Sequence, residues 1–256
     1  MALVIGITLG LLGGGGSILT VPVLVYLLKI DPITSTGYSL FIVGIAALFG
    51  ALGYLRKKLI DPKMVAAFGA SSLVSVYLAR RVLVPALPDE LFRVSGFIVT
   101  REIGVMVLFA ILMLASSVSM IRGGVKEPQL QKNVVYNYPM LIIQGLVIGL
   151  LVGMVGAGGG FLIVPALVIF SKVPMKMAIG TSLSIIAVNS LIGFTGDLQM
   201  REMDWVFLLS FSAIAVAGIF IGTRLSSVVP GQKLKPVFGW FVLVMGVYIL
   251  GKELVF

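Results

Sequence analysis

Leu9–Leu24 reads LGLLGGGGSILTVPVL and Val152–Leu167 reads VGMVGAGGGFLIVPAL: an apolar run, a burst of glycine and a second apolar run, twice in one chain. Glycines at roughly 1 kcal/mol each relative to alanine should interrupt a helix at both places. Flanks of about 12 residues would each form a half-helix of ~18 Å, enough to reach the middle of a bilayer. The pattern therefore predicts a glycine-tipped helical hairpin rather than one straight span.

The two stretches belong to a longer repeat. Sliding the chain on itself by 143 residues, without a gap, matches Leu3–Gly53 with Leu146–Gly196 at 21 of 51 positions. The identities include Gly13 with Gly156, Gly15 with Gly158, Gly16 with Gly159, Pro22 with Pro165, Gly37 with Gly180 and Ser39 with Ser182. The register continues weakly through Asp61 with Asp204, Arg81 with Arg224 and Gly96 with Gly239. The chain divides into a first repeat, 1–121, a polar linker, 122–137, and a second repeat, 138–256.

Of 256 residues, 59% are hydrophobic and 11% charged, and the mean hydropathy is +1.15. No water-soluble fold hides that much apolar surface. Eight apolar stretches of membrane-crossing character follow one another, so the expected fold is an all-α integral membrane protein. Without Cys or His, disulfides, thiol chemistry, the usual zinc sites and imidazole bases are excluded. No cofactor and no metal are expected. Apolar sequence from Met1 without a basic leader gives no sign of a removable signal peptide. The net charge of +9 fits basic cytoplasmic loops and an anionic solute, while the scattered basic clusters carry no nucleic-acid signature.

Charge also bears on orientation. Arg56, Lys57, Lys58 and Lys63 make one loop strongly basic, whereas its counterpart carries Asp197, Arg201, Glu202 and Asp204. With eight crossings, and Arg101 left aside, Lys and Arg divide evenly between the sides; if the first segment of each repeat is re-entrant they divide 12 to 6. The positive-inside bias favours two inverted repeats, each a re-entrant glycine-tipped hairpin plus three transmembrane helices. The Arg56, Arg122, Lys172 and Lys233 regions then lie in the cytoplasm.

Non-helical backbone at membrane depth is tolerated where it is buried in protein or lines a wet cavity. A half-helix starting after each glycine run points unpaired N–H groups and its positive dipole end there, a place for an anion built from backbone. Gly14, Gly15, Gly16, Ser17, Gly158, Gly159 and Gly160 are the candidates. Close helix packing through small residues is the competing explanation. A phosphate loop is excluded because no Gly-Lys-Ser/Thr follows either run. Gly44, outside the tips, is expected to tolerate alanine.

At these residues the chain resembles the TauE/SafE sulfite-exporter family, through GMVGAGGGFLIVPAL at Gly153–Leu167 and AIGTSLSII at Ala178–Ile186. The first repeat departs from the pattern, with Ser17 at the third glycine and STGYSL at Ser35–Leu40. The resemblance implies a secondary carrier of sulfite, sulfonates, sulfoacetate or other organic anions. It implies neither the substrate nor the direction of transport.

Polar groups inside the spans complete the candidate set. Ser39, Thr181 and Ser182 are hydroxyls at equivalent places near the start of the second segment; Asn189 and Gln144 are amides suited to ligand binding or to joining helices. Arg81, Arg101, Glu102 and Arg224 are candidates for gating or coupling, with proton or sodium as the coupling ion, or for interfacial anchoring. An anion channel and a membrane-embedded enzyme are the alternatives to a carrier. The enzyme lacks paired carboxylates and any base beside a serine.

Overall fold

The structure is a computed structural model, and it describes residues 1–88, 90–94, 97–122, 137–156, 158–171, 173–198 and 203–255. Most of the expected linker, together with Lys172, Gln199, Arg201 and Glu202, lies outside the described residues. The helices are α1 Ala2–Leu12, α2 Gly15–Pro22 running on as a π-helical stretch Val23–Leu27, α3 Pro32–Arg56 and α4 Pro62–Ala86. They are followed by a short antiparallel hairpin, β1 Glu90–Val94 with β2 Phe97–Thr100. The rest are α5 Arg101–Arg122, α6 Tyr138–Val155, α7 Gly160–Ile169, α8 Met175–Leu198, α9 Trp205–Val228 and α10 Gly231–Val255.

Local chemistry explains the boundaries. Asp31 caps α3 by accepting from the N–H groups of Ile33 and Thr34, with Pro32 at the first helical position, where its missing donor costs nothing. Asp61 caps α4 and Asp204 caps α9 through side-chain bonds to the first turn. The weak repeat match of Asp61 with Asp204 thus marks equivalent helix starts. Gly13 and Gly156, with φ of 70° and 71°, end α1 and α6 in the left-handed conformation and donate their N–H groups to Leu9 and Val152 carbonyls. Glycine adopts that conformation without a Cβ penalty.

Close approaches at glycine reveal how the helices run. Gly37 faces Asp197, Gly44 faces Leu191 and Gly50 reaches Leu183, so α3 and α8, equivalent in the two repeats, lie antiparallel. Gly239 meets Ile121 and Gly246 meets Leu114, which sets α5 and α10 antiparallel as well. Each repeat also lends its first helix to the other. Gly6 and Gly10 of α1 pack on Ala215 and Ile219 of α9, while Gly149 and Gly153 of α6 pack on Ser72 and Val76 of α4. These contacts keep the 143-residue register through the third helix, where the sequence identity has faded.

Helix α6 runs parallel to α4, and so does α8, since Gly193 meets Val76 and Gly196 meets the Arg80 side chain. Two consecutive long elements in the same direction require α7 to turn back, so α6 and α7 form a hairpin whose ends lie at one end of the bundle. Helices α1 and α3 stand in the same relation to α9, and α1–α2 is the equivalent hairpin.

Three expectations need correction. The arms are not all about 12 residues, because α6 has 18 and is by itself long enough to cross a membrane; seven described helices meet that test. The fourth of the eight apolar stretches, about 94 to 121 and expected to carry Arg101 inside one helix, is not helical from its start. ELFRV and FIVT, rich in β-branched and aromatic residues, pair as strands, and Arg101 opens α5 rather than sitting within it. Its counterpart α10 begins at Gly231, so the 143-residue register does not reach the fourth helix; Gly96 lies outside the described residues. Gly44 is not a neutral position, since a Cβ there would lie 2.9 Å from the Leu191 side chain.

Candidate functional site

The two glycine tips meet. A Cβ on Gly14 would overlap the Gly160 backbone, and one on Gly160 would overlap Gly14. Of the other tip glycines, Gly13 abuts Ile179, Gly158 abuts Val43 and Ser190, and Gly159 abuts Val152. The close approach that glycine permits is thus taken by protein in this conformation. The tips differ in backbone: Gly156, Gly158 and Gly159 all have positive φ, whereas only Gly13 does in the first tip. Gly15 opens α2 and Gly159 caps α7.

Several candidate hydroxyls bond the scaffold. Ser17 Oγ donates to the Gly14 carbonyl at 2.6 Å, Ser182 Oγ lies 3.1 Å from the Gly13 carbonyl oxygen and 2.9 Å from that of Ile179, and Thr181 Oγ1 accepts from the Asp61 N–H at 3.0 Å. Asn189 Nδ2 donates to Ser72 Oγ at 2.6 Å, joining α8 to α4. Gly16 and Gly160 pack with no room for a side chain. By contrast, the buried Ser39 and Ser190 hydroxyls and the Oδ1 of Asn189 have no hydrogen-bond partner among the described residues, as does Oε1 of Gln144.

The charged candidates lie away from the tips. Arg81 and Arg224 are exposed, and Arg81 Nη1 donates to the Tyr77 hydroxyl. Arg101 donates to the Leu87 carbonyl at 3.4 Å, and Glu102 is exposed in the first turn of α5. The residue that does reach a tip is Arg80, which sequence reasoning missed. It is fully buried in the π-helical stretch Ala79–Leu83, with Nη2 against Gly156. Its Nη1 donates to Thr36 Oγ1 at 3.0 Å and pairs with Asp197 Oδ2 at 3.4 Å. Arg81 stands out in the repeat because it matches Arg224, while the counterpart of Arg80 is Thr223. A guanidinium in the middle of an apolar run was the available signal.

A helical bundle with seven membrane-capable helices, built on two interleaved glycine-tipped hairpins, is a multi-pass membrane protein. The chain belongs to the TauE/SafE family: the model described as "Sulfite exporter TauE/SafE" matches residues 1–249. It is 27% identical to a "probable membrane transporter protein" of Xylella fastidiosa (strain 9a5c), over 97% of this chain and 92% of that one. It is 25% identical to the probable membrane transporter protein YunE of Bacillus subtilis (strain 168), over 100% and 95%. The probable membrane transporter protein MJ0441 of Methanocaldococcus jannaschii is 31% identical over 43% of this chain and 44% of that one. No solved structure matches. The chain is a membrane transporter protein of the cell membrane.

Proposed function

We propose that this protein is a secondary transporter that moves a small sulfur-containing or organic anion, such as sulfite, a sulfonate or sulfoacetate, by alternating access around the two glycine tips. The observation that carries the reading is the meeting of the tips at Gly14 and Gly160 between antiparallel α3 and α8. Two equivalent hairpins that return to the ends they came from can each close one side of a shared centre. Direct backbone contact between the tips supports a closed carrier over an open anion channel. Helix starts at Gly15 and Gly160 aim their N–H groups and positive dipole ends at that centre. Ser39 and Asn189 retain hydrogen-bonding capacity there.

Basic residues sit at the end of the bundle where α3 finishes and α4, α6 and α8 start, and the positive-inside rule makes that end cytoplasmic. Purified protein in liposomes supplies the test. The expected result is saturable uptake of labelled sulfite or methanesulfonate, accelerated by unlabelled anion inside and independent of ATP. Non-saturating single-channel current would establish the channel instead, and absence of flux for sulfite, sulfonates, sulfoacetate and small carboxylates would end the anion reading.

A further inference from the structure

We infer that the two tips are unequal, that a small oxyanion is held at the second tip alone by the Arg80 guanidinium, and that Asp197 is a tethered carboxylate occupying Arg80 until that anion replaces it. The inference rests on the transport reading above and names its site and substrate class.

The molecule contains its own control. At the equivalent place in the other half, Thr223 stands for Arg80, Tyr54 for Asp197 and Ile179 for Thr36. There the Tyr54 hydroxyl bonds Ser226 Oγ at 2.6 Å and the Gly10 carbonyl at 3.1 Å. The geometry is shared: Gly180 leaves room for Tyr54, and Gly37 leaves room for Asp197, whose Oδ2 lies 3.0 Å from where a Cβ would be. Lys57 reaches this corner from its exposed side, Nζ donating to the Thr223 carbonyl at 3.1 Å, but no buried ion pair builds it, so the pair in the other half is not required for packing. Buried pairs contribute little net stability against apolar or neutral replacements, so a different reason for the charges is needed.

Further groups point to an oxyanion. The second tip touches Thr36 and Arg80 at Gly156, then Val43 and Ser190 at Gly158. Ser39 lies on α3 between Thr36 and Val43, and its hydroxyl and that of Ser190 are fully buried without hydrogen-bond partners among the described residues. A planar fork of donors matches two oxygens of a sulfite, sulfonate or carboxylate and has no such match with a halide.

The test uses the full chain in detergent, titrated with sulfite, methanesulfonate and chloride. The wild type should bind the two oxyanions and not chloride. Asp197→Asn, which removes the competitor, should bind sulfite on the order of tenfold more tightly, because a larger fraction of Arg80 is available. Its melting temperature should rise further on adding sulfite than that of the wild type. The neutral double variant Arg80→Gln/Asp197→Asn should fold and bind neither oxyanion. Wild-type sulfite affinity in the double variant, unchanged or weaker affinity in Asp197→Asn, or an Asp197→Asn protein that sulfite does not stabilise would overturn the inference. If the double variant transports sulfite in liposomes as the wild type does, the transport reading stands and only this assignment fails. A wild type that moves no anion removes both.

Discussion

Tyr54 and Asp197 hold the same position in the two halves, and the contrast between them shows what one residue can decide. Tyr54 ties three helices, its hydroxyl touching Gly10 of α1 and Ser226 of α9 from its own place on α3. Tyr54→Phe should cost about 1 to 3 kcal/mol by stranding buried polar groups, read as a lower unfolding temperature in detergent. Glycines offer a sharper contrast. Gly14→Ala forces a Cβ into the Gly160 backbone and should abolish folded yield. Gly251→Ala, with nothing within 4 Å, should leave the protein unchanged or stabilise it by up to about 1 kcal/mol through helix propensity. Size-exclusion profiles of detergent extracts before and after heating separate these outcomes. The glycine runs were legible as breaks from sequence, since a broken helix is a local property. That their faces meet one another was not legible, because it depends on where two segments 143 residues apart come to rest. Arg80 was hidden for a related reason: an internal repeat highlights what the halves share, and the charged corner is where they differ.

Among the elements, α9 illustrates how a short polar side chain sets a boundary. Asp204 accepts from the Phe207 N–H at 2.9 Å, and its own N–H donates to the Tyr38 hydroxyl at 2.9 Å, joining the start of α9 to α3. Asp204→Ala should destabilise by about 1 kcal/mol through the lost cap, while Asp204→Asn, which keeps an acceptor, should cost less; thermal denaturation in one detergent gives the comparison. The spans of α3, α8 and α9 could be read from hydropathy because each is a long apolar run ended by turn or capping residues. The strands at Glu90–Val94 and Phe97–Thr100 could not, since a short apolar run reads equally as strand or helix. The π-helical stretches of α4 leave no hydropathy signal at all, although one of them carries Arg80.

For the whole molecule, α3 lies antiparallel to α8 and α5 to α10, and the proposed orientation places the basic loops on the cytoplasmic side. Cysteines introduced at Lys58 and Pro88, before and after α4, should be labelled by impermeant reagents from opposite sides of the membrane, with Lys58→Cys reacting only from the cytoplasm. Labelling of both from one side would refute the assigned crossing of α4. The interleaving has a consequence for biogenesis. Helix α1 finds its main partner, α9, only after Trp205 has been made, and translation at about 5 to 20 residues per second leaves that gap open for roughly ten seconds or longer. During that interval the small-residue face of α1, with Gly6 and Gly10, lacks the α9 backbone on which it packs in the finished fold. Nascent chains of this protein should therefore be held by the insertion machinery or by a lipid-embedded chaperone until the second half arrives, and ribosomes stalled before Trp205 should leave the first hairpin open to proteases.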